Sequence, residues 1–164
     1  MDTLRFELAG LPAGDRSVRY LVNGRDLLAS VREVERPYAE SEGHPKLAGD
    51  YAPLPLYWIH DSPEYFLGND VAPTRWPGSP WTVLYACASC GEVGCWPLLV
   101  TIEVADRLVR WSGFRQQYRA PAGDASKPTA TVWEYNALGP FEFDRSSYEA
   151  EVRRLVSEIA APAE

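Results

Sequence analysis

Residues 81–104, WTVLYACASCGEVGCWPLLVTIEV, contain two runs rich in β-branched and aromatic residues. The short segment GEVG (91–94) joins the two runs, and its glycines favour a tight loop. In the second run one face has Leu98, Val100, Ile102 and Val104 and the other has Leu99, Thr101 and Glu103, which is the period of a strand. The stretch therefore predicts two antiparallel strands joined by a hairpin loop that carries all three cysteines.

Similar patterns on both sides of this hairpin extend the predicted sheet. RLVRWSGF (107–114) predicts the next strand of a meander, and TVWEYNALGPFEFD (131–144) again has strand character. The polar segment RAPAGDASKPTAT (119–131) between them predicts a mobile loop tip. Near the start, the alternating residues 4–8 and SVRYLV (17–22) predict two more strands.

Two helices are predicted, one after a tight turn and one at the end. Asn23-Gly24 tolerates the positive φ angles of a hairpin turn, and Asp26 then caps a helix that Pro37 ends. SSYEAEVRRLVSEIAA (146–161) has a capping box of Ser146 and Glu149. The apolar stripe of this second helix has to pack on the sheet. Its members are Tyr148, Val152, Leu155, Val156 and Ile159.

Residues 37–80 lose regular periodicity and are rich in proline, so we expect ordered irregular structure with one short strand near Leu56–Ile59. The complete pattern predicts a single α+β domain over residues 1–164. It consists of a mostly antiparallel sheet, a packed C-terminal helix and a long irregular Pro-rich segment.

The charge of the chain limits its partners. The formal net charge is −7, and an acidic surface repels phosphate backbones and anionic lipid, which argues against nucleic acid and membranes and fits a basic protein partner. The chain lacks both the start of a signal peptide and the ~20 apolar residues that a bilayer span requires. We therefore expect a cytoplasmic protein with reduced cysteines.

Three interpretations compete for the spacing Cys87-x2-Cys90-x4-Cys95. The first is a zinc ion bound by the three thiolates, with His60 as the fourth ligand. His44, an aspartate or a glutamate could take the place of His60. The second is a catalytic thiol activated by His60 and Asp61. The third is a glycine-shaped hairpin loop in which the thiols serve as small buried hydrophobes.

We favour the third interpretation, because the chain has no second cysteine pair and no cofactor is then required. Hydrolase, phosphate-loop and dinucleotide motifs are also absent from the sequence, which argues against an enzyme. The tryptophans are expected mainly in the core. Arg110, Arg115 and Arg119 are expected on a solvated edge strand, where charges prevent aggregation.

Five segments resemble an uncharacterised family of small bacterial proteins: VNGRDLLASVREVERP, LAGDYAPLP, CGEVGCWPL, VRWSGFRQQYR and LGPFEFDRSSYEAEV. That family has a Cys-Gly-Glu-x-Gly-Cys-Trp-Pro-Leu core and a Gly-Pro-Phe-x-Phe-Asp-Arg segment before a terminal helix. Its members often carry Cys-x-Cys-Gly, whereas Cys87 and Cys90 here are one residue further apart. The resemblance implies bacterial origin and a single domain.

Two functions follow as expectations. One is a non-enzymatic, immunity-like or inhibitor-like protein that binds a basic partner. The alternative is a small-molecule or zinc-binding protein, with or without enzymatic activity, that uses Cys87, Cys90 and Cys95. The sequence carries no prediction of the oligomeric state.

Overall fold

The computed structural model describes residues 1–10, 16–61, 63–67, 80–120 and 132–161. These residues form two antiparallel sheets and three α-helices, which confirms the predicted α+β class. Among them, no helix has the length and apolar character that a bilayer span requires. The predicted loop tip lies outside the described residues over 121–131, and so does Trp76.

The first sheet has three strands in sequence order: β1 (Leu4–Gly10), β2 (Arg16–Val22) and β3 (Arg25–Asp26). Asn23 and Gly24 form the turn between β2 and β3, with φ angles of 53° and 79°. Both angles are positive, so the predicted hairpin turn is confirmed.

The second sheet has five strands, also in sequence order. They are β4 (Tyr51–Pro53), β5 (Thr82–Cys87), β6 (Leu98–Val104), β7 (Leu108–Gln116) and β8 (Phe141–Asp144). The antiparallel pairing of β5, β6 and β7 confirms the predicted meander. Because β7 lies between β6 and β8, the edge-strand prediction for Arg110 and Arg115 is wrong. Arg115 instead covers the Trp81 ring, 3.7 Å from its centroid.

Helix α1 (Leu27–Ser41) begins as predicted but continues beyond the predicted end. Its N-cap is Asp26, whose Oδ1 accepts the Leu28 N–H at 3.0 Å. Pro37 lies inside the helix, although an interior proline costs about 3 kcal/mol. Contacts beyond Pro37 offset this cost, since Ala39 is fully buried and Tyr38 stacks on Trp133.

The strand predicted over residues 56–59 is wrong, because those residues begin the short helix α2 (Leu56–Asp61). Pro55 directly precedes the helix, and its fixed φ angle suits a helix start better than a strand interior. Within α2, Ile59 is completely buried. The strand of this region lies earlier, at β4.

Helix α3 (Arg145–Ala160) packs on the sheets through Tyr148, Val152 and Leu155, as the predicted stripe requires. The predicted capping box is wrong: the N-cap is Asp144, whose Oδ2 accepts the N–H of Ser147 at 2.9 Å. Asp144 lies two residues before Ser146, the predicted cap, and its side-chain oxygen can accept a backbone N–H of the first turn just as a serine hydroxyl can. Glu149 therefore pairs with Arg145 instead, at 2.8 Å.

A single aromatic core joins the two sheets and α3. The Tyr20 ring from β2 lies 5.3 Å from that of Tyr85 in β5 and 6.4 Å from that of Trp111 in β7. Trp111 is fully buried and donates its indole N–H to the Tyr148 hydroxyl at 3.0 Å. Each of these rings buries a large area, so the contacts of Tyr20 with Tyr85 and Trp111 hold the first sheet against the second.

Candidate metal centre

The three cysteines converge at one end of the β5–β6 hairpin. Cys87 is the last residue of β5, and Cys90 and Cys95 lie in the loop that follows. The three Sγ atoms lie within 4.8 Å of one another. Cys87 is buried, but Cys90 and Cys95 are exposed, so the buried-thiol interpretation holds for Cys87 and is wrong for the other two.

Backbone hydrogen bonds of the loop bring the sulfurs together. Gly91 has a φ of +74°, a conformation suited to glycine, and its N–H donates to the Cys87 carbonyl at 2.9 Å. The Glu92 carbonyl accepts the N–H groups of Cys87 and Cys95, at 3.3 and 3.4 Å. One carbonyl therefore ties the two ends of the cysteine segment to each other.

The environment of Cys87 favours its thiolate. Burial alone would disfavour the charged sulfur, but the backbone N–H groups of Cys90 and Ser89 donate to it and hold the pKa of Cys87 below its ordinary value. Backbone N–H groups aimed at a cysteine sulfur also stabilise a metal-bound thiolate, because they offset its charge.

The environment of Cys95 has the opposite effect. Hydrogen bonds with the sulfurs of Cys90 and Cys87 raise the pKa of Cys95 to about 11. Binding of a metal ion has to displace the proton of Cys95, because only thiolates serve as ligands.

Aromatic and charged residues support the loop from the side of Trp96. The Tyr118 hydroxyl donates to the Gly94 carbonyl at 2.5 Å, and its ring stacks on Trp96 with centroids 6.2 Å apart. The Arg119 guanidinium lies 5.2 Å from the Trp96 centroid and pairs with Glu42 at 2.9 Å. The loop is thus anchored to the end of α1, and Arg119 is not the solvated residue that the sequence predicted.

Strand β4 supports the cluster from the other side. Tyr51 lies opposite Cys87 in the β4–β5 register. The carbonyl of Asp50 accepts the N–H of Ala88 at 3.4 Å, immediately after Cys87. Displacement of β4 would therefore change the position of the one buried cysteine.

A buried carboxylate, Glu35 of α1, holds the start of β4 in place. Its Oε1 accepts the Gly49 N–H at 2.8 Å, and its Oε2 accepts the hydroxyl of Tyr51 at 2.5 Å and also that of Tyr135. Burial raises the pKa of Glu35 despite these three bonds. Gly49 has a φ of +66°, and a Cβ there would lie 2.8 Å from Arg32 Cβ, so this approach requires glycine.

The histidines do not complete the cysteine cluster. His60, the predicted fourth ligand and catalytic partner, is an exposed residue of α2 with its Nδ1 3.1 Å from Asp61 Oδ1. The described residues include every cysteine and histidine of the chain, and in them no fourth His, Cys, Asp or Glu donor joins the three sulfurs. His44 lines a pocket together with Asp50 and Trp96.

Sequence reasoning found the three cysteines but missed the residues that position them. Glu35, Glu42 and Arg119 are far from the loop along the chain, and no local motif marks them. One clue was available for Glu35, because it follows the apolar positions Leu27, Leu28, Val31 and Val34 on the same helical face.

No protein-family model, curated protein or solved structure matches the chain.

Proposed function

We propose that this chain is a zinc-binding protein in which the thiolates of Cys87, Cys90 and Cys95 hold one divalent ion. The observation that carries the proposal is the convergence of their three Sγ atoms within 4.8 Å of one another. In a tetrahedral zinc–thiolate site with bonds of about 2.3 Å, the sulfurs lie about 3.8 Å apart. Small adjustments of the exposed Cys90 and Cys95 are sufficient to reach that geometry.

The chemistry of the donors supports zinc over hard cations. Three thiolates form a soft ligand set, which selects zinc and other thiophilic metals over magnesium or calcium. The backbone N–H groups of Ser89 and Cys90 offset negative charge at Cys87, and Gly91 provides the turn after the Cys-x2-Cys pair. A glycine-shaped hairpin loop explains the turn at Gly91, but it does not explain why two exposed thiols converge on the buried one.

The number of donors supports an open site. Structural zinc sites are closed by four protein ligands, whereas sites that bind a ligand keep one position free. The group within the described residues has three protein donors, and two of them are exposed. We therefore propose a site whose fourth position exchanges with solvent molecules or small ligands.

Metal content tests the proposal. Protein purified without a metal-affinity tag is expected to bind one equivalent of zinc, and cobalt(II) in its place is expected to produce sulfur-to-metal charge-transfer absorption. Mass spectrometry and absorption titration measure these quantities. The variant His60→Ala is expected to bind zinc with unchanged affinity, because His60 lies outside the donor group. Less than about a tenth of an equivalent of zinc, with no loss of fold under a chelator, would contradict the proposal.

The first expectation from the sequence, a basic protein partner, rests on the net charge of −7 alone. Among the described residues, the only strongly exposed large hydrophobic side chains are Met1 and Tyr57. An immunity-like or inhibitor-like role therefore stays a proposal with less support than metal binding.

A further inference from the structure

Cys90 and Cys95 form the exposed part of the cysteine cluster. Both lie in the loop after β5, whereas Cys87 is buried at the end of that strand. Metal-bound cysteines are thiolates, and exposed thiolates next to a second cysteine are the sulfurs that oxidise most readily. An oxidant in solvent therefore reaches the cluster at these two residues.

The distance between the two exposed sulfurs suits a disulfide bond. Their Sγ atoms lie within 4.8 Å of each other, and the two side chains are hydrogen-bonded in the metal-free protein. The sulfurs of a disulfide lie about 2.05 Å apart, so an approach of less than about 3 Å closes the bond. Rotation of two exposed cysteine side chains about their Cα–Cβ bonds moves the sulfurs by a comparable distance.

The segment between the two cysteines leaves room for this movement. It consists of the four residues GEVG (91–94). At Gly91 and Gly94, a Cβ atom would have no described neighbour within 4 Å apart from the adjacent residues. Closure of the small ring from Cys90 to Cys95 therefore meets no packed side chain at either glycine.

Cys87 is less suited to the same bond. It lies opposite Tyr51 in the β4–β5 register, and its sulfur accepts the backbone N–H groups of Ser89 and Cys90. Movement of this sulfur toward a partner would break these hydrogen bonds, and its buried position keeps it from an oxidant in solvent. The geometry therefore favours the pair Cys90–Cys95 over any pair that includes Cys87.

We propose, on the basis of the proposed metal site, that a peroxide oxidises Cys90 and Cys95 to a disulfide and that the ion is thereby released. The disulfide removes two of the three thiolates, so Cys87 is the one cysteine ligand that remains. Reduction of the disulfide restores all three donors. The centre therefore holds its ion under reducing conditions and gives it up under oxidising ones.

The reaction balances with one peroxide molecule for each disulfide. One exposed thiolate attacks a peroxide oxygen, so that a sulfur–oxygen bond forms, the oxygen–oxygen bond breaks and hydroxide leaves. The second thiolate attacks the oxidised sulfur, so that the disulfide forms, the sulfur–oxygen bond breaks and a second hydroxide leaves. Two protons from solvent convert the hydroxides to water. The two sulfurs lose two electrons in total, and the peroxide gains them.

Treatment of the zinc-loaded protein with hydrogen peroxide tests this inference. The free thiols, titrated in denaturant, are expected to fall from three to one. A chromophoric chelator is expected to detect one equivalent of released zinc that a sample without peroxide retains. Peptide mass mapping is expected to locate the disulfide between Cys90 and Cys95. Dithiothreitol is expected to restore the three thiols and the binding of zinc.

Two matched serine variants, both treated without zinc, identify the pair of sulfurs. Cys95→Ser removes one partner and is expected to form no disulfide within the chain. Cys87→Ser keeps both exposed cysteines and is expected to form the Cys90–Cys95 disulfide as the parent does. The two variants carry the same chemical change and differ only in which sulfur is lost.

Two kinds of result would overturn the inference and leave the metal site intact. One is a zinc-loaded protein that keeps its three thiols and its ion at a peroxide dose that oxidises free cysteine. The other is a different product: a disulfide that includes Cys87, a disulfide between two chains, or sulfinic acids. Protein that holds no zinc before peroxide is added would contradict the metal site itself, and with it the release of an ion.

Discussion

The variant Cys87→Ser is expected to bind zinc at least about a thousandfold more weakly than the parent protein. Structural zinc sites contribute on the order of 10–16 kcal/mol of binding free energy, so loss of one of three thiolates removes several kcal/mol. Cys87 is the buried metal ligand, and its sulfur accepts hydrogen bonds from backbone N–H groups. A serine hydroxyl in its place is a much poorer ligand for zinc. Competition with a chromophoric chelator measures the affinity.

Two comparisons make this result specific. Ser89→Ala keeps the backbone N–H that faces the sulfur and alters only an exposed side chain, so it is expected to bind zinc as the parent does. Cys95→Ser is expected to weaken binding less than Cys87→Ser, because Cys95 is exposed and a water molecule can take the place of its sulfur. Unchanged affinity in Cys87→Ser would show that the ion binds elsewhere.

The variant Glu35→Leu is expected to lose about 3–5 kcal/mol of unfolding free energy, since three buried donors lose their acceptor at once. These donors are the Gly49 N–H and the hydroxyls of Tyr51 and Tyr135. Chemical denaturation measures the loss. Because Gly49 leads into β4 opposite Cys87, zinc affinity is expected to fall as well. A loss below about 1 kcal/mol would contradict the role assigned to this network.

Milder variants of the same network give the control. Tyr135→Phe removes one donor and keeps the carboxylate, so a loss of about 1 kcal/mol of unfolding free energy is expected.

Burial raises the pKa of Glu35 above its ordinary value of 4.5, so the folded protein holds the proton of the Glu35 carboxyl group more tightly than the unfolded chain does. The contribution of this proton to the unfolding free energy is fully present below pH 4.5, and it is lost as the pH rises through the raised pKa of Glu35. Glu35→Gln is expected to remove this pH dependence.

The local patterns of the sequence were sufficient to predict most of the sheet. Asn23 and Gly24 specify their turn through the backbone angles they tolerate, and Asp26 specifies a helix start through its side-chain oxygen. The hairpin that carries the cysteines followed from residue types over the two runs that flank GEVG. In each of these cases, the determining interaction lies within a few residues of the chain.

Where distant contacts decide, the sequence predictions failed. Pro37 predicts a helix end, but burial of Ala39 and the Tyr38–Trp133 stack extend the helix past it. Residues 56–59 read as a strand, but they form a helix that buries Ile59 in the core.

The candidate site shows the same division. The spacing of the cysteines was visible in the sequence, but their exposure and convergence were not. The loop geometry depends on the Glu92 carbonyl and on the contact of Tyr118 with Gly94. Tyr118 lies 24 residues from Gly94 along the chain. Sequence periodicity carries no information about such a contact.

X-ray absorption at the zinc edge, on protein reconstituted with one equivalent of zinc, tests the three-thiolate centre most directly. We expect three sulfur neighbours at about 2.3 Å and one lighter atom. A first shell made only of nitrogen and oxygen at about 2.0–2.1 Å, or one with a single sulfur, would contradict the proposed centre.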